Sequence, residues 1–534
     1  MTDIKLFDTT LRDGSQAEGV SFSTHDKFRI AQALDRLGIH YIEGGWPGSN
    51  PKDNQFFHDA RNHPFKTAKL VAFGSTRRKG VSPAKDPNLK AIVDAKVPVA
   101  CIFGKSWDMQ VTHALRTTLE ENLAMIRDSI KYLKSKNMEV IYDAEHFFDG
   151  YRANPTYALK TLQAAIISGA DVVTLCDTNG GSLPSQIAEI VHAVKRSYPH
   201  EVLGIHAHND SGCGVANTIA AVEAGCTLVQ GTINGIGERC GNADLSVIIP
   251  NLQLKMNQRV VTEQQLQSIT EIARSIAEIA NLVPNDRQPY VGNSAFAHKG
   301  GIHVSAVSRN TATYEHVNPE IVGNQRRILV SELSGKSNVL LKGKELAMEF
   351  ATDKKAAQAI LEALKKREME GYHYEGAEAS FELLVEKALG RYKPYFTLKS
   401  FHVAVERDAA RPMLCEATIK IVVNGREEHM VAEGDGPVNA LDNGLRKALE
   451  KFYPILSEMS LADYKVRVID AAAGTAAKVR VMIESRDGKG QEWTTTGVST
   501  NLIEASWLAL VDAIEYKLFK EFPHQKPKPP KAKK

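Results

Sequence analysis

IKLFDTTLRDGSQAEGVSFSTHDKFRIAQALDRLGIHYIEGG, residues 4–45, holds one full turn of the pattern that decides the fold. A short apolar run (4–7) leads into a polar loop and then a stretch where Phe28, Ile30, Ala31, Leu34 and Leu37 recur at helical spacing. Ser23 stands where it can cap that helix and Gly38 where it can end it. A second strand-like run (41–43) follows. The order then repeats, with strand-like runs at 69–73, 99–103, 139–143, 172–175, 203–206 and 228–231 and helical patterns at 109–136, 155–168, 184–197, 215–224 and 244–256. Eight β-then-α units in about 260 residues have the size and rhythm of a (β/α)8 TIM barrel, an α/β fold. A doubly wound sheet is the rival, but it would more often place a glycine-rich phosphate loop after its first strand, and none is there.

Beyond the barrel the rhythm changes. Residues 262–282 read as a helix, and Pro284, Pro289 and the AFAHKGGIH segment (295–303) open a linking region of short helices, the longest pattern being 347–369. From about residue 395 a second kind of domain begins, with an internal repeat. A hairpin (418–423, Asn424-Gly425, 428–432) and a helix (438–453) are followed by a second hairpin (478–485, Asp487-Gly488, 491–496) and helix (499–519). Asn-Gly and Asp-Gly between alternating strands are strong hairpin signals. Two β-β-α units predict a pseudo-twofold α+β domain suited to dimerising and to binding small effectors, with a purely structural dimerisation cap as the alternative. The expected organisation is a catalytic barrel over 1–275, a linker region over 276–392, a regulatory and dimerisation domain over 393–520, and a disordered Lys/Pro tail over 521–534.

The 534 residues are 43% hydrophobic and 24% charged, the balance of a soluble globular protein. A net charge of +3 speaks against a nucleic-acid or membrane-surface binder. No apolar run reaches the ~18 residues of a membrane span. The N-terminus MTDIKLFDTTLRDG lacks the pattern of a signal peptide, and the six cysteines have no zinc or CxxC spacing. They read as reduced thiols, so the expected location is the cytoplasm.

A TIM barrel does its chemistry at the carboxyl ends of its strands. Five strands here end in polar clusters: DTTLRDGSQ, DAEHFFDG, CDTNGG, HAHND and TINGIGERCGN. His206 and His208, two apart at the end of an extended strand, face the same way and can both reach one divalent metal. An isolated His-x-His is more often structural; its place at a barrel strand end before Asn209-Asp210 reverses that. Asp13 in LRDG and Asn242 in ERCGN are the candidate oxygen ligands, both on loops opening onto the same face, and Mg, Mn and Zn all suit the set. Arg12 beside Asp13 can stabilise an enolate or grip a carboxylate, or simply orient Asp13. Glu145 can orient substrate or move a proton, and Thr178 can bond a substrate carboxylate.

Together, DTTLRDGSQ, HAHND and GIGERCGN resemble the DRE-TIM metallolyases, and among them the group of 2-isopropylmalate, homocitrate and citramalate synthases. The resemblance extends through AFAHKGGIH to VAEGDGPVNAL (431–441), which is similar to the allosteric dimerisation domain of isopropylmalate synthases. EGGWPGSNPKD (43–53) and YDAEHFFDGYRANP (142–155) resemble the (R)-citramalate synthase branch, whose members condense acetyl-CoA with pyruvate at the head of a route to isoleucine. The resemblance implies metal binding by Asp13, His206, His208 and Asn242. It further implies that Arg12 supports the enolate and the 2-oxo acid, that Thr178 meets its carboxylate, and that Glu145 lies near the acetyl methyl. His303 and Tyr314 match linker residues that reach the active site of the partner subunit, implying a homodimer. Isoleucine is the expected effector. The base is left among Glu145, His303 and a water they hold. The same chemistry on another 2-oxo acid, giving isopropylmalate or homocitrate, is the nearest alternative. A retro-aldol lyase, a carboxyltransferase and an amino-acid sensor with a relict barrel are the more distant ones.

Overall fold

The computed structural model of the protein describes residues 4–61, 63–329, 339, 342, 354–374, 376–407, 413–469 and 471–522. The expected disordered tail, from residue 523 on, and the start of the 347–369 helix lie outside the described residues. The chain divides into two compact units: residues 1–296 with 315–326, and residues 297–314 with 327–534.

The first unit is a closed eight-stranded parallel barrel. Its strands are β1 (Lys5–Asp8), β2 (Tyr41–Gly45), β3 (Lys69–Ser75), β4 (Val99–Lys105), β5 (Glu139–Glu145), β6 (Val172–Asp177), β7 (Leu203–Ala207) and β8 (Leu228–Gly231). Register Lys5↔Leu228 to Asp8↔Gly231 between β1 and β8 closes the ring. The strands are apolar on both faces because both are buried. Phe7, Tyr41, Val71, Phe73, Val99, Cys101, Ile141, Val172 and Leu228 form the inner cluster. Leu6, Ile42, Ala72, Ile102, Val140 and Ile205 face the helices. Ala207, at the end of β7, belongs to that helix-facing cluster too.

The helix Thr24–Leu37 starts as its sequence predicts. Ser23 Oγ accepts from Asp26 N at 3.1 Å, and Asp26 returns the bond to Ser23 N at 2.9 Å. Gly38 ends it at φ 88°. Its buried face, however, includes Lys27, whereas Phe28 is only half-buried against Phe56. Lys27 reaches across to Asp53, with Nζ 2.5 Å from Oδ1, and donates to the Gly44 carbonyl at 2.9 Å. The other Asp53 oxygen accepts from Trp46 N at 2.8 Å. This buried pair therefore ties the first helix to the loop that leaves β2.

Three helical expectations are revised. The stretch 109–136 is a π-turn (Gln110–Ala114) and a separate helix (Leu119–Lys134), because Arg116 takes a left-handed φ of 52° and Thr118 Oγ1 caps a fresh start on Glu121 N. The 262–282 stretch breaks at Ser268 into Glu263–Gln267 and Ile269–Ile279. A helix Phe147–Ala153 follows β5 before the expected one at Pro155–Ile166.

In the second unit a two-residue pair, β9 (Ala297–His298) and β10 (Arg327–Ile328), precedes two three-stranded antiparallel sheets. These are β11 (Thr397–Glu406), β12 (Leu414–Val423) and β13 (Arg426–Gly434), then β14 (Ser460–Val468), β15 (Val479–Arg486) and β16 (Glu492–Ser499). Each backs onto one helix, Pro437–Leu449 or Leu502–Glu521. The repeat is thus β-β-β-α, each unit gaining an edge strand whose alternation is weak because it is exposed along most of its length. Asn424-Gly425 makes the expected two-residue turn with φ 51° and 79°. The second turn is longer: Asp487 N donates to the Gln491 carbonyl, and Asp487 Oδ1 accepts from Lys489 N and Gln491 N. Among the described residues no helix is long and apolar enough to cross a membrane.

Replacing Asp53 with Ala strands the buried Lys27 ammonium, which burial already disfavours. The expected loss is about 3–5 kcal/mol of barrel stability, read as a lower urea midpoint by circular dichroism. A change within experimental error would show that Lys27 re-solvates freely.

Candidate active site

The loop after β1 is built by its own polar residues. Asp8 accepts from Thr10 N at 2.8 Å and Thr10 Oγ1 at 2.9 Å, and Thr10 Oγ1 accepts from Ile233 N at 3.0 Å beyond β8. The Thr9 carbonyl collects the amides of Arg12, Asp13 and Gly14, which turns both side chains back over the barrel mouth. Opposite, the loop after β8 folds onto β7 through a bridge between His208 and Asn242. Gly241, at φ 87°, leaves no room for a Cβ against the Gly235 carbonyl, so the loop closes only with glycine there.

Asp13, His206 and His208 bring one ligand atom each to within 4.8 Å of the others, all buried. His206 Nε2 lies 3.4 Å from His208 Nε2 and 3.3 Å from Asp13 Oδ2. Asn242 adjoins them, its Nδ2 donating to Asp13 Oδ2 at 2.9 Å while its buried Oδ1 has no partner. Gln230 fixes His206: its Nε2 donates to Asp143 Oδ1 at 2.9 Å, which turns Oε1 to accept from His206 Nδ1 at 2.8 Å. Nε2 is thereby presented to the cluster. Burial works to raise the Asp13 carboxyl, but Arg12 and His206 hold it well below the usual carboxylate range. Burial and the neighbouring His206 push His208 down to about 4. An ionised carboxylate and a neutral imidazole converging in one buried place, with the Asn242 side-chain amide beside them, fit a divalent cation. His206 is pulled down by burial yet raised overall by Asp13, so a proton and a cation compete for Nε2.

Arg12 is held on two sides. Its Nε donates to Glu43 Oε2 at 2.6 Å and its Nη1 to Asp13 Oδ1 at 2.7 Å, and the guanidinium lies 3.9 Å above the Phe73 ring. Burial pushes the Glu43 carboxyl up to about 7, against the pull of Arg12 and with a further push from Asp143. Thr178 Oγ1 accepts from His146 N at 2.8 Å, an amide set by the left-handed φ of 57° at His146. Its hydroxyl hydrogen is then free to donate elsewhere. Glu145 pairs with Lys105, Nζ 2.5 Å from Oε2.

Arg12, Asp13, Glu145, Thr178, His206 and His208 all line one cavity of about 220 Å³. Trp46, Phe73 and Phe103 wall it, with ring centroids 5.4–5.6 Å apart. His303 and Tyr314 belong to the second unit, where their rings stack at 4.1 Å with both side chains exposed.

Residues 3–276 match the HMGL-like family model, residues 290–371 the homocitrate synthase post-HMGL domain-like model, and residues 375–518 the LeuA allosteric (dimerisation) domain. An (R)-citramalate synthase of Geobacter sulfurreducens is 56% identical over 97% of this chain and 98% of its own, and one from Sulfolobus acidocaldarius is 45% identical over 96% and 97%. A 2-isopropylmalate synthase of Heliobacterium modesticaldum reaches 31% over 98% of both chains. The chain belongs to the citramalate synthase branch of the HMGL-like family.

Motif reading in this citramalate synthase relative overlooks Glu43, Asp143 and Gln230, and also the three aromatic rings. The signal was present for two of them: Gln230 is the one polar residue in LVQG, and Glu43 interrupts an otherwise apolar strand. The wall could not be read, since Phe73 and Phe103 lie on β3 and β4 and Trp46 just after β2, and all three look like core.

Gln230→Leu keeps the volume but frees the His206 ring. Metal affinity should fall about 10–100-fold in calorimetric titration of the metal-free protein, with the far-UV spectrum unchanged. In wild type the affinity should weaken as pH moves from mildly alkaline to mildly acidic, because the raised His206 must lose its proton to bind. Unchanged affinity in the variant would remove Gln230 from the site.

Proposed function

We propose that the chain condenses the acetyl group of acetyl-CoA with pyruvate and water to give (R)-citramalate and CoA, the first committed step of a pyruvate route to isoleucine. What carries the choice of 2-oxo acid is the aromatic wall of Trp46, Phe73 and Phe103 on a cavity of about 220 Å³. A methyl group suits such a pocket better than an isopropyl or carboxyethyl group. The wide identity gap between the citramalate and isopropylmalate synthases among its relatives supports the same reading.

A divalent cation (Mg, Mn or Zn) held by Asp13, His206, His208 and Asn242 would polarise the 2-oxo carbonyl. The chain's own residues do the rest. Arg12, clamped between Glu43 and Asp13, holds a fixed positive charge where enolate and alkoxide charge develops. Thr178 donates its free hydroxyl hydrogen to the pyruvate carboxylate. Glu145 faces the acetyl methyl and takes its proton, alone or with His303 of the other subunit through a water. The methyl carbon forms its bond to C2 as the carbonyl π pair moves to oxygen, which takes up a proton to become the hydroxyl; water then cleaves the thioester, releasing the CoA thiol and leaving a carboxylate.

The second unit supports a homodimer with isoleucine as effector. Edge strands β11 and β14 leave Leu398, Val405, Leu461, Val466 and Val468 exposed, an apolar edge that a second copy would cover. The stacked His303 and Tyr314 would then complete the partner's barrel. The protein is read as cytoplasmic, with no nucleic acid and no membrane among its partners.

Thiol release from acetyl-CoA tests the reaction. With Mg or Mn present, kcat/KM for pyruvate should exceed that for 2-oxobutanoate about tenfold or more, and 2-oxoisovalerate and 2-oxoglutarate should trail further. A preference for either of the last two would overturn the substrate. Val405→Lys with Val468→Lys should shift the light-scattering mass from dimer to monomer and abolish inhibition by isoleucine. A dimer that persists would place the interface elsewhere.

A further inference from the structure

Among the charged groups around the cavity, Arg12 is committed to Asp13 and Glu43, and Arg239 to Asp210. Glu145 has a different partner. β4 and β5 end in register with Lys105 beside Glu145, both at the carboxyl end of the barrel. Lys105 Nζ approaches Glu145 Oε2 to 2.5 Å, obliquely rather than along a straight hydrogen bond. The side chains are 15% and 23% exposed, so this is no fully solvated surface pair of negligible strength. Glu145 lines the cavity, and the ammonium lies 5.7 Å from the centre of the Phe103 ring in the cavity wall.

The backbone at this point is held independently of the pair. Fully buried Asn122 donates its Nδ2 to the Lys105 carbonyl at 2.8 Å and to Tyr157 Oη at 2.9 Å, and Ser106 N donates to the Glu145 carbonyl at 3.0 Å. The strand ends would stay in place without the lysine side chain. The backbone thus has anchors of its own, and the side-chain pair bears on the carboxylate of Glu145.

We propose that Lys105 is a positioning residue of the condensation, anchoring Glu145 through Oε2 so that Oε1 meets the acetyl-CoA methyl group. The inference rests on the reading of Glu145 given above. Proton transfer moves one methyl proton to Oε1, the electron pair of that C–H bond becomes the new bond to C2 of the 2-oxo acid, and the C2=O π pair moves to oxygen, which takes a proton from water to become the hydroxyl. Lys105 keeps its three protons throughout. Once Glu145 is neutral the ammonium faces no opposite charge, which favours loss of the proton to water and return of the carboxylate.

The test is a double-mutant cycle on the full-length, metal-loaded enzyme. Lys105→Met should lower kcat about 10–100-fold while the KM for pyruvate and the metal affinity stay within about twofold. Lys105→Arg should recover most of kcat. In a Glu145→Gln background, Lys105→Met should change nothing further. Multiplicative losses in the two backgrounds, or a loss seen in pyruvate KM or metal affinity, would overturn the role of Lys105 and leave that of Glu145 standing. A fully active Glu145→Gln would overturn both. The metal titration doubles as the check on folding, and if Lys105→Met fails it, Lys105→Gln and Lys105→Arg carry the same cycle.

Discussion

The guanidinium of Arg12 is the contact on which the barrel mouth depends. Three buried carboxylates, Asp13, Glu43 and Asp143, converge there from three separate strand ends. Buried carboxylates that close raise one another and tend to neutralise. Arg12 prevents this for Asp13 by binding it directly, and it limits the rise at Glu43 through a second short bond. Glu43 and Asp13 in turn keep Arg12 charged against its own burial. The guanidinium is suited to the task, since Nε and Nη1 diverge toward two different acids while the flat face rests on Phe73. A lysine there could not satisfy both acids and the ring at once.

From that contact the rest of the site follows in layers. Asp13, held ionised, faces His206; Gln230 sets the ring of His206; and Asp143, held beside Gln230, sets the amide of Gln230. Each acid at the mouth thus has a defined partner, and none acts as a free surface charge. The loop after β8 closes the set because the Asn242 backbone pairs with His208 and its side chain reaches Asp13. Two imidazole nitrogens 3.4 Å apart beside a carboxylate form an arrangement that only a proton or a cation reconciles.

The fold was legible because TIM barrels write a strict rhythm. Each unit carries an apolar run, a polar loop and a capped helix, and local signals such as Ser23 and Gly38 agree with the global pattern. Legibility failed where a side chain answers to tertiary contacts. Lys27 lies outside the apolar pattern of its helix but is buried on Asp53, and Arg116 breaks a long helical pattern through a backbone conformation that periodicity does not encode. In the site, the residues on contiguous motifs were readable: Arg12 and Asp13 in LRDG, His206 and His208 in HAHND, Asn242 in CGN. The supporting residues were only partly readable: Gln230 and Glu43 stand out as polar positions in apolar strands, Asp143 is one of three acids in EVIYDAE, and the partners of all three are set only when the barrel closes.

The cavity therefore has two chemically distinct sides, and β5 contributes to both, Asp143 to one and Glu145 to the other. The β1, β7 and β8 ends carry the acids and imidazoles that suit a cation and the oxygens of a 2-oxo acid. The β4, β5 and β6 ends carry Phe103, the Lys105–Glu145 pair and Thr178, while Asp143 of β5 faces Gln230 on the first side. A proton acceptor placed on the first side would be drawn into the field of the cation and Arg12, which lowers its affinity for a proton and weakens it as a base. Glu145 on β5 has a lysine as its partner while remaining within the same small cavity. Closing a parallel sheet into a ring thus brings a cation-suited ligand set and a carboxylate–lysine pair into one cavity from different strands.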